Sequence, residues 1–390
     1  MGRGGLVRVL RWWAVGIAAL FLSGIVVPGS AAAQTYYGGY HTAADMLWHA
    51  QTVGRTYPGI ATVYDIGESW LATQGHGGHT LQAICLTGIA PAPMPVKAVA
   101  KAGLGLVRPD GCALSTVSNK PKLLLFAQIH AREIATGELM WRWIDYLADG
   151  YGIDPEATSV LDSTEVWIVP VANPDGVEIV SATEGRPRFQ RKNVDDAEPS
   201  CATEDPGNGR GVDLERNFSG RWGEKGADAD PCAQDYRGVA AASEPETRAL
   251  EGLISAIFAD QRGEPGVDEV PDSATGLLID LHSYGNYLIT PSVTAPEDAA
   301  RLRRLAAQVA PEGFTSGTST ETVGYPTSGT SMDQAYGALG LAALVMEIGP
   351  RESDCAGFFP EYSCVDRLLW PQIRQAFTAA ARAAAAPYRQ

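Results

Sequence analysis

The chain has 390 residues, a formal net charge of −15, and 45% hydrophobic against 19% charged residues. That balance is globular, enough for one large domain or two ordinary ones, and it excludes a disordered chain. The acidic excess argues against a nucleic-acid partner, because phosphate binding needs a basic face.

The N-terminus does not belong to the fold. Arg3, Arg8 and Arg11 form a basic start, Trp12 to Val27 is a short apolar run, and Ala31-Ala32-Ala33 offers a small-residue cleavage site. This is the plan of a secretory signal peptide, cleaved after Ala33. The rival is a retained membrane anchor, but the run is short for a span. Cleavage removes three arginines and no acids, leaving about −18 on an exported chain with no stable membrane anchor. Six cysteines follow: Cys85, Cys112, Cys201, Cys232, Cys355 and Cys364. An even count in an exported chain reads as disulfides. Pairing of sequence neighbours is simplest, each bridge closing one loop. A cysteine metal site is the rival, without C-x-x-C spacing to support it.

Residues 40–88 read as helix, strand, turn and strand, and 89–120 as an extended Pro/Ala/Gly-rich surface loop. The apolar run Leu123 to Ile129 reads as a buried strand and ends abruptly in His130, with Glu133 three residues on. GELMWRWIDYLADG has helical spacing. TEVWIVPVANPDG is a strand running into Asn173-Pro174-Asp175-Gly176, a turn signal. Residues 181–240 are polar and aperiodic, and so long a segment inside a domain is usually functional. Ser243-Glu244-Pro245-Glu246 reads as a capping box opening the helix ETRALEGLISAIFAD. TGLLIDLHSYGN is a strand ending in His282, EDAARLRRLAAQVA an amphipathic helix, LAALVMEIG a strand ending in Glu347, and Val365 to Ala386 a terminal helix. Strands alternating with helices predict a single α/β domain over 34–390, with a mixed, mostly parallel central sheet flanked by helices.

Ionisable residues therefore terminate three apolar strands. In open α/β sheets, ligands bind at such strand ends. His130, Glu133 and His282 make a two-His, one-carboxylate set suited to one zinc ion with a position open for water. Glu347 is then free to act as general base on that water and proton donor to a leaving group. A lone H-x-x-E arises often by chance, and a strand-end histidine is usually a core residue; their joint placement carries the reading. His41 and His49 read as surface or packing residues. His76 and His79 have metal-like spacing, but sit in a glycine-rich turn without a nearby carboxylate.

These residues carry a resemblance. The chain resembles the zinc metallocarboxypeptidases of the carboxypeptidase A type, the funnelin family, over nearly all of its mature length. His-Ala-Arg-Glu at 130–133 matches the family's H-x-x-E, Asn173 to Gly176 its N-P-D-G, and Leu281-His282-Ser283-Tyr284 its third-ligand motif. The resemblance implies exopeptidase chemistry on peptide or protein C-termini. It implies Arg191, within Arg188-Phe189-Gln190-Arg191-Lys192, for the oxyanion. It implies Arg216 and Asn217, within Val212 to Asn217, with Tyr325, for the substrate's terminal carboxylate. Arg132 would assist its approach, and Glu347 falls where the family has its catalytic glutamate. Pro231 to Gly238 resembles a block with an upstream disulfide partner, which supports Cys201–Cys232. Met332, at the position of the pocket floor, implies an apolar or aromatic C-terminal residue in preference to Lys or Arg, with Asp333 beside it.

Three departures stand out. Glu215 replaces the family's usual asparagine; pairing with a neighbouring arginine is the favoured reading, beside pointing away or a different substrate end. Residues 89–120 and 201–215 are elaborated. The room before His130 leaves no inhibitory propeptide domain, so an enzyme made without one is expected. The alternatives in function are a related zinc hydrolase acting on cell-wall peptides or another amide, and a catalytically silent binding module. The second would be expected to have lost a ligand or the base, and all four residues are present.

Overall fold

The computed structural model describes Met1 and residues 34–88, 111–183, 185–197, 201, 209–262, 269–293 and 295–389. The expected leader beyond Met1 and most of the expected 89–120 loop lie outside the described residues.

A hairpin of β1 (Thr35–Tyr36) and β2 (Tyr40–His41) precedes helix Ala43–Thr56. The remaining strands are β3 (Ala61–Glu68), β4 (Thr80–Leu86), β5 (Lys122–Ala127), β6 (Glu165–Val169), β7 (Leu277–Ser283), β8 (Tyr287–Thr290), β9 (Thr315–Thr318) and β10 (Ala342–Ile348). They form one eight-stranded sheet in the order β3-β4-β6-β5-β7-β10-β8-β9. The middle four, β6-β5-β7-β10, run parallel. β3 and β4 join antiparallel on one side; on the other, β8 is antiparallel to β10 and β9 parallel to β8. The sheet is mixed with a parallel centre, as the alternation of strands and helices implies.

β5, β6 and β7 are buried at every position because helices cover both faces. Alternate side chains of β5 enter opposite cores. Leu123 and Leu125 pack with Trp143, Ile144 and Phe377, whereas Leu124 and Phe126 pack with Leu250, Ile254 and Phe258. Three disulfides, Cys85–Cys112, Cys201–Cys232 and Cys355–Cys364, follow the neighbour pairing. They use all six cysteines and leave none for a metal. No helix among the described residues is long and apolar enough to cross a membrane.

Several elements differ from the sequence expectation. Asn173-Pro174-Asp175-Gly176 is a helix start rather than a turn: Asn173 caps helix Pro174–Ser181 by accepting from the Gly176 N–H, with proline at the first turn. Helix Ile134–Gly150 begins directly after Glu133, three residues earlier than its periodic stretch. The capping box at Ser243 does not form. Glu244 is the N-cap residue of helix Pro245–Ile257, and the Glu246 carboxylate accepts instead from the Trp70 N–H at 2.6 Å and Asn193 Nδ2 at 3.2 Å. Strands β8 and β9 and helices Pro155–Ser163 and Ser331–Leu339 lay outside the sequence reading. One widened turn, Val365–Leu369, leads into the terminal helix Trp370–Ala383.

Candidate active site

The parallel strands β5, β7 and β10 lie side by side and end at one edge. Glu347 stands opposite His282 in the β7–β10 register. His130 and Glu133 occupy the turn after β5. That turn is tied down by two neighbours: Ala131 N–H donates to the Arg191 carbonyl, and Asn173 Nδ2 donates to the Ile129 carbonyl.

Three donor groups converge there. His130 Nδ1 lies 2.9 Å from Glu133 Oε1 and 3.0 Å from His282 Nδ1, and His282 Nδ1 lies 3.1 Å from Glu133 Oε2. Tetrahedral zinc with bonds of 2.0–2.1 Å separates its ligand atoms by about 3.3 Å, close to this triangle. Two imidazole nitrogens facing one another at hydrogen-bond distance, with a carboxylate closing the third side, fit a cation between them. The far nitrogens are backed by carboxylates, as metal-ligating histidines usually are. His130 Nε2 is 3.1 Å from Asp213 Oδ1, and His282 Nε2 is 3.3 Å from Asp280 Oδ1.

The electrostatics agree. Burial, then the Arg191 cation, hold the His130 imidazole below its ordinary pKa, in the neutral form a metal needs. Burial alone would lower His282, but Asp280 and Glu133 on either side raise it well above its ordinary value. The field at this point therefore favours positive charge. Burial likewise would raise Glu133, yet the two histidines keep it below the ordinary carboxylate range. Burial, then the Glu133 charge, push the half-buried Glu347 carboxyl up to about 8. A cation held by Glu133 would offset that repulsion and bring Glu347 back toward ionisation.

Beyond the triangle a cavity opens, lined by Glu347, Arg191 and Arg216 on its polar side and by Ile289, Val323, Met332 and Val345 on its apolar side. Arg191 lies 3.2 Å from His130 Nδ1 through Nη1, and is fixed by two bonds from Nε and Nη2 to Asp213 Oδ2 at 3.0 and 2.8 Å. Arg216 donates Nη1 to the Glu215 carbonyl, while its buried Nε has no partner. Tyr325 stands at the mouth, 54% exposed. Gly329 brings the cavity-floor loop against Arg216: a Cβ there would meet the Arg216 carbonyl oxygen at 2.4 Å.

The remaining residues fall elsewhere. The Arg132 guanidinium is held between the Phe189 and Phe358 rings, 4.3 Å from each centroid, and donates to Gln234; it does not line the cavity. Asn217 is fully buried, and its Nδ2 donates to the Arg237 and Ala240 carbonyls and Ser243 Oγ, which leaves nothing for a substrate. Glu215 lines the cavity but pairs with no arginine among the described residues, a correction to the favoured reading. Its Oε1 accepts from the Ser331 N–H at 2.9 Å, and burial, then the Asp280 charge, raise its pKa well above the ordinary range, so that it stays neutral. Asp333 caps its own helix and pairs with Arg221 at 3.1 Å. His41 and His49 stack on opposite sides of Trp141 at 3.8 Å as packing residues, and His79 pairs with Glu178. Asp213 and Asp280 were missed in the sequence. The available signal was strand period, because Asp280 precedes His282 by two and shares its face.

With this geometry in hand, the class follows. A family model described as zinc carboxypeptidase matches residues 46–368, and the chain belongs to that family. Among individual proteins, carboxypeptidase A2 of Rattus norvegicus is 31% identical over 231 residues, covering 57% of this chain and 49% of the rat protein. Metallocarboxypeptidase A of Arthroderma otae is 27% identical over 339 residues, 83% of this chain and 66% of that protein. The chain thus spans about half the length of the first of these relatives. The crystal structure of carboxypeptidase A from Helicoverpa armigera superposes with a TM-score of 0.66 at 21% identity, over 92% of this chain and 76% of that one, a likeness of fold.

Proposed function

We propose that the chain is a secreted zinc-dependent carboxypeptidase that removes the C-terminal residue of peptides and proteins. The observation that carries this reading is the donor triangle of His130, Glu133 and His282 standing directly beside Glu347, at the rim of a cavity that holds two arginines and an apolar wall. One zinc ion on that triangle supplies Lewis acidity, polarising a scissile carbonyl and acidifying water.

The chain's own residues do the rest. Glu347 takes the proton of the attacking water and returns it to the departing amine. Arg191, locked to Asp213, presents a fixed charge to the oxygen on which negative charge develops. Arg216, with its unpartnered Nε, and Tyr325 hold the substrate's terminal carboxylate; a planar guanidinium suits that group. Neutral Glu215 does not repel it. Arg132 and Asn217 support the site by packing and loop anchoring, and their contacts support no direct hold on substrate. Met332 and its apolar neighbours favour an apolar C-terminal side chain, since Asp333 turns away to Arg221. Residues 34–390 form the catalytic domain behind a leader cleaved after Ala33.

Incubation of the zinc-loaded chain with a peptide library, read by mass, tests this. Loss of single C-terminal residues, apolar ones fastest, is the expected result; internal cuts would sink it.

A further inference from the structure

The two candidate metal-binding histidines are backed by aspartates of different circumstance. Asp213, behind His130, is neutralised by Arg191 at 2.8 Å. Asp280, behind His282, is fully buried, and no lysine or arginine among the described residues pairs with it. A buried carboxylate without a counter-charge is costly. Its Oδ1 faces His282 Nε2 at 3.3 Å, both atoms are buried, and the neighbouring Glu215 carboxyl hydrogen-bonds the same aspartate. The group facing this carboxylate is the His282 ring, whose other nitrogen, Nδ1, joins the donor triangle 3.1 Å from Glu133 Oε2.

Asp280 is also held from behind. Its Oδ2 accepts from Ser331 Oγ at 2.7 Å, and the Ser331 backbone N–H is itself held by Glu215. Ser331 opens helix Ser331–Leu339, which carries Met332 to the cavity floor. The same serine thus fixes the aspartate behind a metal ligand and begins the element that shapes the substrate cavity.

We propose that Asp280 is a positioning residue for His282 and that Ser331 holds it in that pose. This inference rests on the zinc reading above. One aspartate oxygen fixes which ring nitrogen of His282 carries the proton and so presents Nδ1 to the ion; the other is kept in place by the serine hydroxyl.

The test is zinc affinity of the full mature chain, measured by competition with a chromophoric chelator, together with metal stoichiometry and the visible spectrum of the Co²⁺-substituted protein. The parent should bind one zinc. Asp280→Asn should weaken binding about 10–100-fold and shift the cobalt bands. Ser331→Ala should weaken it by a smaller factor, and Ser331→Thr, which restores the hydroxyl, should return it toward the parent. The serine pair carries the test if Asp280→Asn does not fold. Parent-like affinity in both Asp280→Asn and Ser331→Ala overturns the proposal. So does a parent that binds two ions and loses one in Asp280→Asn, which would make Asp280 and Glu215 ligands of a second cation. A parent that binds no zinc removes the zinc reading itself, and the inference with it.

Discussion

Glu347 is the residue on which the hydrolytic reading turns. It is opposite His282 in the strand register, yet it is not part of the donor triangle, whose three edges are closed by other atoms. Its removal should therefore separate chemistry from metal binding. Glu347→Gln is expected to lower kcat by at least about 10²–10⁴, the range for a lost general base, while zinc content stays at the parent level. Steady-state kinetics and metal analysis check the two halves; a variant that hydrolyses like the parent would remove Glu347 from the mechanism. The arginines show what single residues conceal until the chain is folded. Arg132, Arg191 and Arg216 are chemically alike in the sequence. Their fates are set by distant partners: two phenylalanine rings for Arg132, Asp213 for Arg191, and an open cavity for Arg216.

At the scale of elements, the site depends on how the turn after β5 is braced by the helix that follows β6. Asn173 both caps that helix, at 3.0 Å to the Gly176 N–H, and donates at 3.2 Å to the carbonyl of Ile129, the residue before His130. It is fully buried. Asn173→Ala should cost about 1–2 kcal/mol for the lost cap and about 1–3 kcal/mol for the carbonyl left without a partner. A urea titration of the metal-free chain that shows a loss under about 0.5 kcal/mol would refute this bracing role. The central strands β5, β6 and β10 were legible because burial of both faces writes a nearly unbroken apolar run; β8 and β9 were not, being four residues each, with β9 partly exposed and carrying no large apolar side chain. Asn-Pro-Asp-Gly was legible as an interruption but ambiguous in kind, because the residues that open a turn also open a helix. At Ser243 the local pattern lost to tertiary partners: Ser243 Oγ is engaged by Asn217 and Glu244, and Glu246 by Trp70 and Asn193. The metal triangle was legible because His130 follows one apolar strand, with Glu133 three residues on, and His282 closes another. Asp213 was hidden in an aperiodic segment, and Glu215 chose neutrality beside Asp280 over the arginine expected for it.

Glu246 also links parts of the molecule far apart in sequence, since one carboxyl group joins helix Pro245–Ile257 to Trp70 and to Asn193 in the long polar segment. Burial pushes its pKa up to about 8, and that of neighbouring Glu244 up to about 6, against an ordinary 4.5. The folded chain therefore holds protons that the unfolded chain has released: both between about pH 4.5 and 6, and the Glu246 proton up to about 8. A raised carboxyl pKa means that stability contributed below the unfolded value is lost as pH rises through the folded one. Each such proton contributes a slope of up to about −1.4 kcal/mol per pH unit. Glu246→Gln, the nearest neutral mimic, should remove its share of that slope between pH 5 and 8. Urea unfolding of parent and variant in the same metal state at several pH values measures the difference. Parallel pH dependences would mean that Glu246 is ionised in the folded protein, and that the link between these segments is a charged one rather than a buried acid.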